Sequence, residues 1–264
     1  VNSKVLYSNG DSWSFGTDLN PDTRENDRWS AILSDKMNMI DFNVATSGAS
    51  NDRILRTTLR DICLIKDGKN IWSERTGNIG VKLEDLFVVI GWSSPTRFEY
   101  YNKELNQWKQ MRHDIEDEWG FKPGDRNYDD KLLKDRFGSL QGMYSKWLSN
   151  VVSLHHILNS FNIRHLFFNA FYPMGDKVDK VVDELKEIDN VVSERTIWDD
   201  YDNHHSYFGL VSMWNSCPQS FRAFNAHHFL SELEYPSYDD LITKYKHPTE
   251  LGHEYIAKHL WKLI

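Results

Sequence analysis

The chain has 264 residues, 40% of them hydrophobic and 27% charged, with a formal net charge of −8 and a pI near 5.8. This is the composition of an ordinary globular protein, long enough for one large domain with its own core. The acidic balance argues against nucleic acid as the main partner. Two cysteines argue against a disulfide scaffold, and no apolar run approaches membrane-spanning length.

Val5-Leu6-Tyr7-Ser8 is a short apolar run closed by Asn9-Gly10, which predicts a buried strand and a loop. Trp29, Ile32, Leu33 and Met37 fall at helical spacing, so a helix begins near Asp27. Met39 to Val44 reads as a second strand. Asn51-Asp52 offers a helix start, with Ile54, Leu55, Thr58, Leu59 and Ile62 as its apolar face. Cys63 falls in this pattern and is expected in the core. Leu86-Phe87-Val88-Val89-Ile90 is apolar throughout, as a strand buried on both faces should be.

Residues 97–134 are highly charged and rich in Trp and Tyr, and are expected to form a helical insertion, a candidate lid. A helix follows over about 140–160, then a strand over Arg164 to Asn169 and a helix near Lys177 to Ile188. Residues 198–238 read mostly as loop. A final helix runs from Pro248 to about Leu263, with Leu251, Tyr255, Ile256 and Leu260 as its stripe. Alternating strands and helices predict a single α/β domain, a three-layer α/β/α sandwich on a parallel sheet. Sites in such folds lie at the carboxyl ends of the strands.

The segments at those ends are distinctive. Gly10-Asp11-Ser12-Trp13 follows the first strand, Ser47-Gly48-Ala49-Ser50-Asn51-Asp52 the second, and Gly91-Trp92-Ser93-Ser94-Pro95-Thr96-Arg97 the third. His247-Pro248-Thr249-Glu250-Leu251-Gly252-His253 precedes the last helix. In this order and placement the four segments resemble the signature blocks of the SGNH (GDSL-like) hydrolases, in wording most similar to the variant found in tailed bacteriophages. The resemblance spans nearly the whole chain. It implies a flavodoxin-like fold, Ser12 as nucleophile, Gly48 in the oxyanion hole and His247 as base.

The chemistry accounts for those residue types. A serine hydroxyl is a poor nucleophile until a base removes its proton, and the tetrahedral oxyanion needs preorganised donors. The backbone amides of Ser12 and Gly48 are the natural pair. Two positions depart from the family pattern. Ser93 stands where the oxyanion Asn is expected, so a third donor comes from Ser93 or from Asn51. Lys244 stands where an Asp normally orients the His, and lysine cannot accept an imidazole N–H. The acid stays open among Asp240, the first choice, Asp239, Glu250 and a backbone carbonyl.

Trp13 and Trp92, inside the blocks, are candidate substrate-stacking residues, and Arg97 is a candidate for an anionic substrate group or a structural ion pair. His204-His205 and His227-His228 read as loop histidines rather than metal ligands, because adjacent residues rarely face one ion. His253 reads as packing. No metal or cofactor is expected. The resulting expectation is a serine esterase, or an acyl transferase using the same residues, acting on O-acyl esters of small molecules or carbohydrates. The alternative is a binding or structural module that has lost activity. No leader segment is visible at Val1 to Lys4, so a cytoplasmic location is expected, with association with a phage particle as a second option.

Overall fold

The computed structural model describes residues 4–74, 76–103, 105–112, 140–170, 213 and 215–264. Its centre is a four-stranded parallel sheet built from β1 (Val5–Gly10), β2 (Ile40–Asn43), β5 (Leu86–Trp92) and β8 (Arg164–Asn169), in the order β2-β1-β5-β8. Two small antiparallel pairs lie outside it, β3 (Ile71–Ser73) with β4 (Gly77–Ile79), and β6 (Arg97–Asn102) with β7 (Gln107–Arg112). The helices are α1 (Ser12–Phe15), α2 (Arg24–Asp27), α3 (Trp29–Met37), α4 (Asn51–Lys66), α5 (Leu140–Ser160), α6 (Gln219–Ala223), α7 (Ala226–Ser231), α8 (Tyr238–Leu241) and α9 (Glu250–Leu263).

Strict alternation along buried strands creates two cores. Val5 and Tyr7 of β1, Val88, Ile90 and Trp92 of β5, and Phe167 of β8 pack on the side of α4 and α5. Leu6, Phe87, Val89, Leu166 and Phe168 point the other way, toward α3 and α9. Successive strand side chains must face opposite layers, so a sheet covered on both faces reads as continuously apolar. The result is the three-layer α/β/α sandwich on a parallel sheet.

The strand order places the site. From β1 the chain first moves to one side, to β2, and then crosses to the other, to β5. The carboxyl ends of β1 and β5 therefore flank the topological switch point, where the connecting loops diverge and leave a crevice. Polar side chains pin those loops. Asn9 donates to the Ile54 carbonyl and to the hydroxyls of Thr57 and Thr58, and Asn43 donates to the Ser14 carbonyl and the Ser30 hydroxyl. Gly10 is needed because a Cβ there would stand 2.8 Å from the Gly91 carbonyl oxygen and overlap Ser14.

Several expectations need correction. The insertion starting at Arg97 begins not as helix but as the β6–β7 hairpin, paired from Arg97↔Arg112 to Asn102↔Gln107. Alternation was hidden there because charged and aromatic residues occupy both faces. Its remainder, 113–134, lies outside the described residues, as do the helix expected at 177–188 and the histidines at 204 and 205. The described part of the expected loop over 198–238 contains α6 and α7, helices too short to show a periodicity. Cys63 is exposed rather than core, on the outer face of α4, while Cys217 is buried. Among the described residues no helix is long and apolar enough to cross a membrane.

Candidate active site

Ser12 is the first residue of α1, directly after β1. Asp11 caps that helix by accepting the Trp13 N–H at 3.0 Å, and Gly16, in the left-handed region at φ 82°, ends it after one turn. This tight strand-to-helix turn holds Ser12 with its hydroxyl buried and unpartnered among the described residues.

His247 arrives from the other end of the chain. Its loop folds back on itself: Thr243 N–H donates to the His247 carbonyl at 2.7 Å, Lys246 takes φ 66°, and Thr249 caps α9. Gly252 lets α9 close on Leu241, whose carbonyl a Cβ would strike. The Trp13 indole donates to the Lys246 carbonyl at 3.2 Å. This bond ties the residue after Ser12 to the residue before His247, across 233 positions.

The carboxylate beside His247 is Asp18. Its Oδ2 lies 2.9 Å from His247 Nδ1 and accepts the Thr243 hydroxyl at 2.8 Å. Partial burial works to raise the Asp18 carboxyl, but the hydrogen bonds from His247 and Thr243 and the charges of His247 and Lys244 outweigh it. The carboxyl is held below its ordinary value, as a carboxylate at neutral pH. Asp240, the first choice from sequence, does not have this role. Its carboxylate accepts the N–H and hydroxyl of Ser237 in the first turn of α8. Asp18 left no sequence signal: it is an isolated residue at φ 73° in the loop after α1, brought to His247 only by folding.

The third-donor candidates are both engaged elsewhere. The Asn51 amide donates to the carbonyls of Ser93 and Ser94 at 3.1 and 2.9 Å, and its oxygen accepts the Ser93 N–H at 2.8 Å. Asn51 thus braces the loop after β5. The Ser93 hydroxyl accepts from Arg97 at 3.1 Å, from the same guanidinium nitrogen that reaches the Asp11 carboxylate. By contrast, the backbone N–H groups of Ser12 and Gly48 carry no hydrogen bond among the described residues. Gly48 stands at φ 76°, and its loop is tied to the end of β1 by the bond from Thr46 N–H to the Gly10 carbonyl.

The expected substrate-binding residues turn out to be structural. Trp92 is fully buried against Phe167, and Trp13 is 1% exposed. Arg97 forms a buried ion pair with Asp11 at 3.1 Å. Burial pushes the Asp11 carboxyl up, and Arg97, Ser93, the Trp13 N–H and His247 pull against it. Asp11 therefore links the first block to the third. His253 is fully buried, accepts the Trp29 N–H at 3.3 Å through Nδ1, and is driven down to about 3, first by burial and then by Arg28 and His247. His227 packs against Trp13 and Tyr238. No group of three or more His, Cys, Asp or Glu side chains that could hold a metal occurs among the described residues.

An α/β fold with Ser12 at the end of β1, and an Asp18–His247 pair whose loop is tied to the next residue, Trp13, is the frame these observations define. The chain belongs to the family described as a family of unknown function (DUF6071), whose model matches residues 16–202. That match includes Asp18 and leaves Ser12 and His247 outside. No curated protein matches the chain. Solved structures similar to it include a protein from Desulfitobacterium hafniense assigned to the G-D-S-L family of lipolytic proteins, at 11% identity over 99% of both chains with a TM-score of 0.47. Another is the esterase EstA from Pseudoalteromonas, at 12% identity over 98% of this chain and 95% of that one, TM-score 0.44. A third is the acetyl xylan esterase Est2A from Butyrivibrio proteoclasticus, at 12% identity over 98% of this chain and 63% of that one, TM-score 0.42.

Proposed function

We propose that this protein is a serine esterase, or an acyl transferase of the same mechanism, with Ser12 as nucleophile, His247 as general base and Asp18 as the residue that orients it. The observation that carries this reading is the Asp18–His247 bond at 2.9 Å, in a loop tethered to the nucleophile's own turn through Trp13. With Nδ1–H given to Asp18, the imidazole presents Nε2 as its basic atom.

In the proposed reaction Ser12 Oγ attacks the ester carbonyl carbon while His247 Nε2 takes the hydroxyl proton. The carbonyl oxygen becomes an oxyanion facing the N–H groups of Ser12 and Gly48, which are already fixed in position. Collapse of this intermediate breaks the bond to the leaving oxygen, which receives the proton from His247, and leaves an acyl-Ser12. Water, or an acceptor alcohol in a transferase, then gives its proton to His247 and attacks the acyl carbon, and collapse of this second intermediate breaks the bond to Ser12 Oγ, which takes the proton back from His247. The scheme needs no metal-bound step. Trp13 and Trp92 are buried and offer no stacking surface for a sugar, so the substrate class is an O-acyl ester, with carbohydrate esters resting on the family resemblance alone. The binding-module alternative rests on Lys244 at the expected acid position and on Ser93 at the expected Asn position; the Asp18–His247 bond speaks against the first ground, while the second stands.

The test is reaction with a fluorophosphonate probe and with p-nitrophenyl acetate. Covalent labelling mapped to the Ser12 peptide, with hydrolysis lost in Ser12→Ala and His247→Ala, is the expected result. A folded protein that neither labels at Ser12 nor cleaves the ester would overturn the reading.

A further inference from the structure

The pattern of engaged and unengaged amides around Gly48 leads beyond the triad. Of the two side chains expected to complete the oxyanion hole, the Asn51 amide is occupied in bracing the loop after β5, and the Ser93 hydroxyl is held by Arg97. A different side chain occupies the space beside Gly48. Gln110, on β7, places its Oε1 3.6 Å from the position a Cβ on Gly48 would take. We propose that the Gln110 carboxamide, carried to Gly48 by the β6–β7 hairpin, supplies the third donor to the oxyanion. This inference rests on the esterase reading above.

Strand geometry explains how an exposed hairpin residue reaches the site. Alternation and register put Arg97, Glu99 and Tyr101 of β6 on one face with Trp108 and Gln110 of β7, through the pairs Glu99↔Gln110 and Tyr101↔Trp108. That face is fastened to the loops of the site at several points. Arg97 pairs with buried Asp11. Glu99, 8% exposed, is gripped by Arg56 at 2.8 and 3.1 Å, and its N–H donates to Asp52 at the start of α4. The Arg56 guanidinium also lies 4.8 Å from the Trp108 ring centre. Gln110 is thus flanked on its own face by anchored residues, yet its amide makes no hydrogen bond among the described residues.

A carboxamide in this position suits an oxyanion. Its oxygen and nitrogen exchange places on a half-turn about the terminal torsion, which is broad and low in energy. The N–H₂ can therefore face the oxyanion once one forms. Glycine at position 48 permits the left-handed backbone, φ 76°, on which this loop meets the Gln110 carboxamide. Hydrophobic or anionic residues at 110 would not serve, the first lacking a donor and the second repelling the charge.

The experiment compares the full chain with Gln110→Ala, Gln110→Glu and Lys109→Ala, the last on the opposite face of β7. kcat and KM for p-nitrophenyl acetate are measured alongside the rate of Ser12 labelling by a fluorophosphonate. Gln110→Ala is expected to lower kcat by about 10- to 100-fold, on the scale of losing one oxyanion donor, with KM changed less than about twofold. Gln110→Glu should fall further and label more slowly, while Lys109→Ala behaves as the parent. A Gln110→Ala variant with kcat near that of the parent, or with its loss confined to KM, overturns the donor role and leaves the esterase reading standing. A parent protein without hydrolysis or Ser12 labelling removes that reading itself.

Discussion

Asp18 Oδ2 receives two hydrogen bonds from one loop, from the Thr243 hydroxyl at 2.8 Å and from His247 Nδ1 at 2.9 Å. The same oxygen therefore fixes both the loop that carries His247 and the orientation of its imidazole ring.

From this relationship, Asp18→Asn should keep the fold, because asparagine tolerates the left-handed conformation at φ 73°. It should lower kcat by on the order of 10²–10⁴, since an amide no longer enforces the Nδ1–H tautomer or stabilises the imidazolium. Asp240→Ala should do the reverse. It removes the contacts to Ser237 in the first turn of α8 and costs about 1 kcal/mol of stability, with kcat preserved. Steady-state kinetics and urea denaturation on the two variants check this, and a dead Asp240→Ala enzyme with an active Asp18→Asn would reverse the assignment.

The buried Arg97–Asp11 pair makes a stability expectation. Removing only the cation in Arg97→Met leaves the Asp11 carboxylate buried without its opposite charge and should destabilise the protein by about 3–5 kcal/mol. Asp11→Asn added to Arg97→Met should recover much of the loss, because asparagine still caps α1 and carries no charge. Denaturation midpoints of the single and double variants test this. A double variant less stable than Arg97→Met alone would show that burial of the charge is not the dominant cost.

His253 sets an acid response. Its folded value of about 3 lies below the ordinary 6.5, so the unfolded chain binds a proton that the folded chain refuses between these values. Stability from this group is full above about pH 6.5 and falls on acidification toward pH 3, by up to about 1.4 kcal/mol per pH unit. His253→Asn, whose side-chain oxygen can accept the Trp29 N–H in place of Nδ1, should flatten that part of the pH–stability curve. Chemical denaturation at pH 7, 5.5 and 4.5 measures the slope, and an unchanged slope in the variant would assign the acid response to other groups.

The sequence by itself determined the sheet, the three segments at its strand ends and the histidine segment before the last helix. Those features are local: an apolar run such as Leu86 to Ile90 must be buried on both faces, and Gly-Asp-Ser after a strand builds one tight turn wherever that strand lies. Tertiary structure alone decided how the segments are joined. Asp18 meets His247 across 229 positions and Arg97 meets Asp11 across 86. Neither pairing has a period, a spacing or a composition to betray it. Asn51, Ser93, Trp13 and Trp92 have the chemistry of site residues, but residue type does not say which partner a side chain reaches or how deeply it is buried. That depends on the loops the switch point brings together, where a carbonyl or carboxylate from a distant segment takes up a polar group that would otherwise be free for substrate.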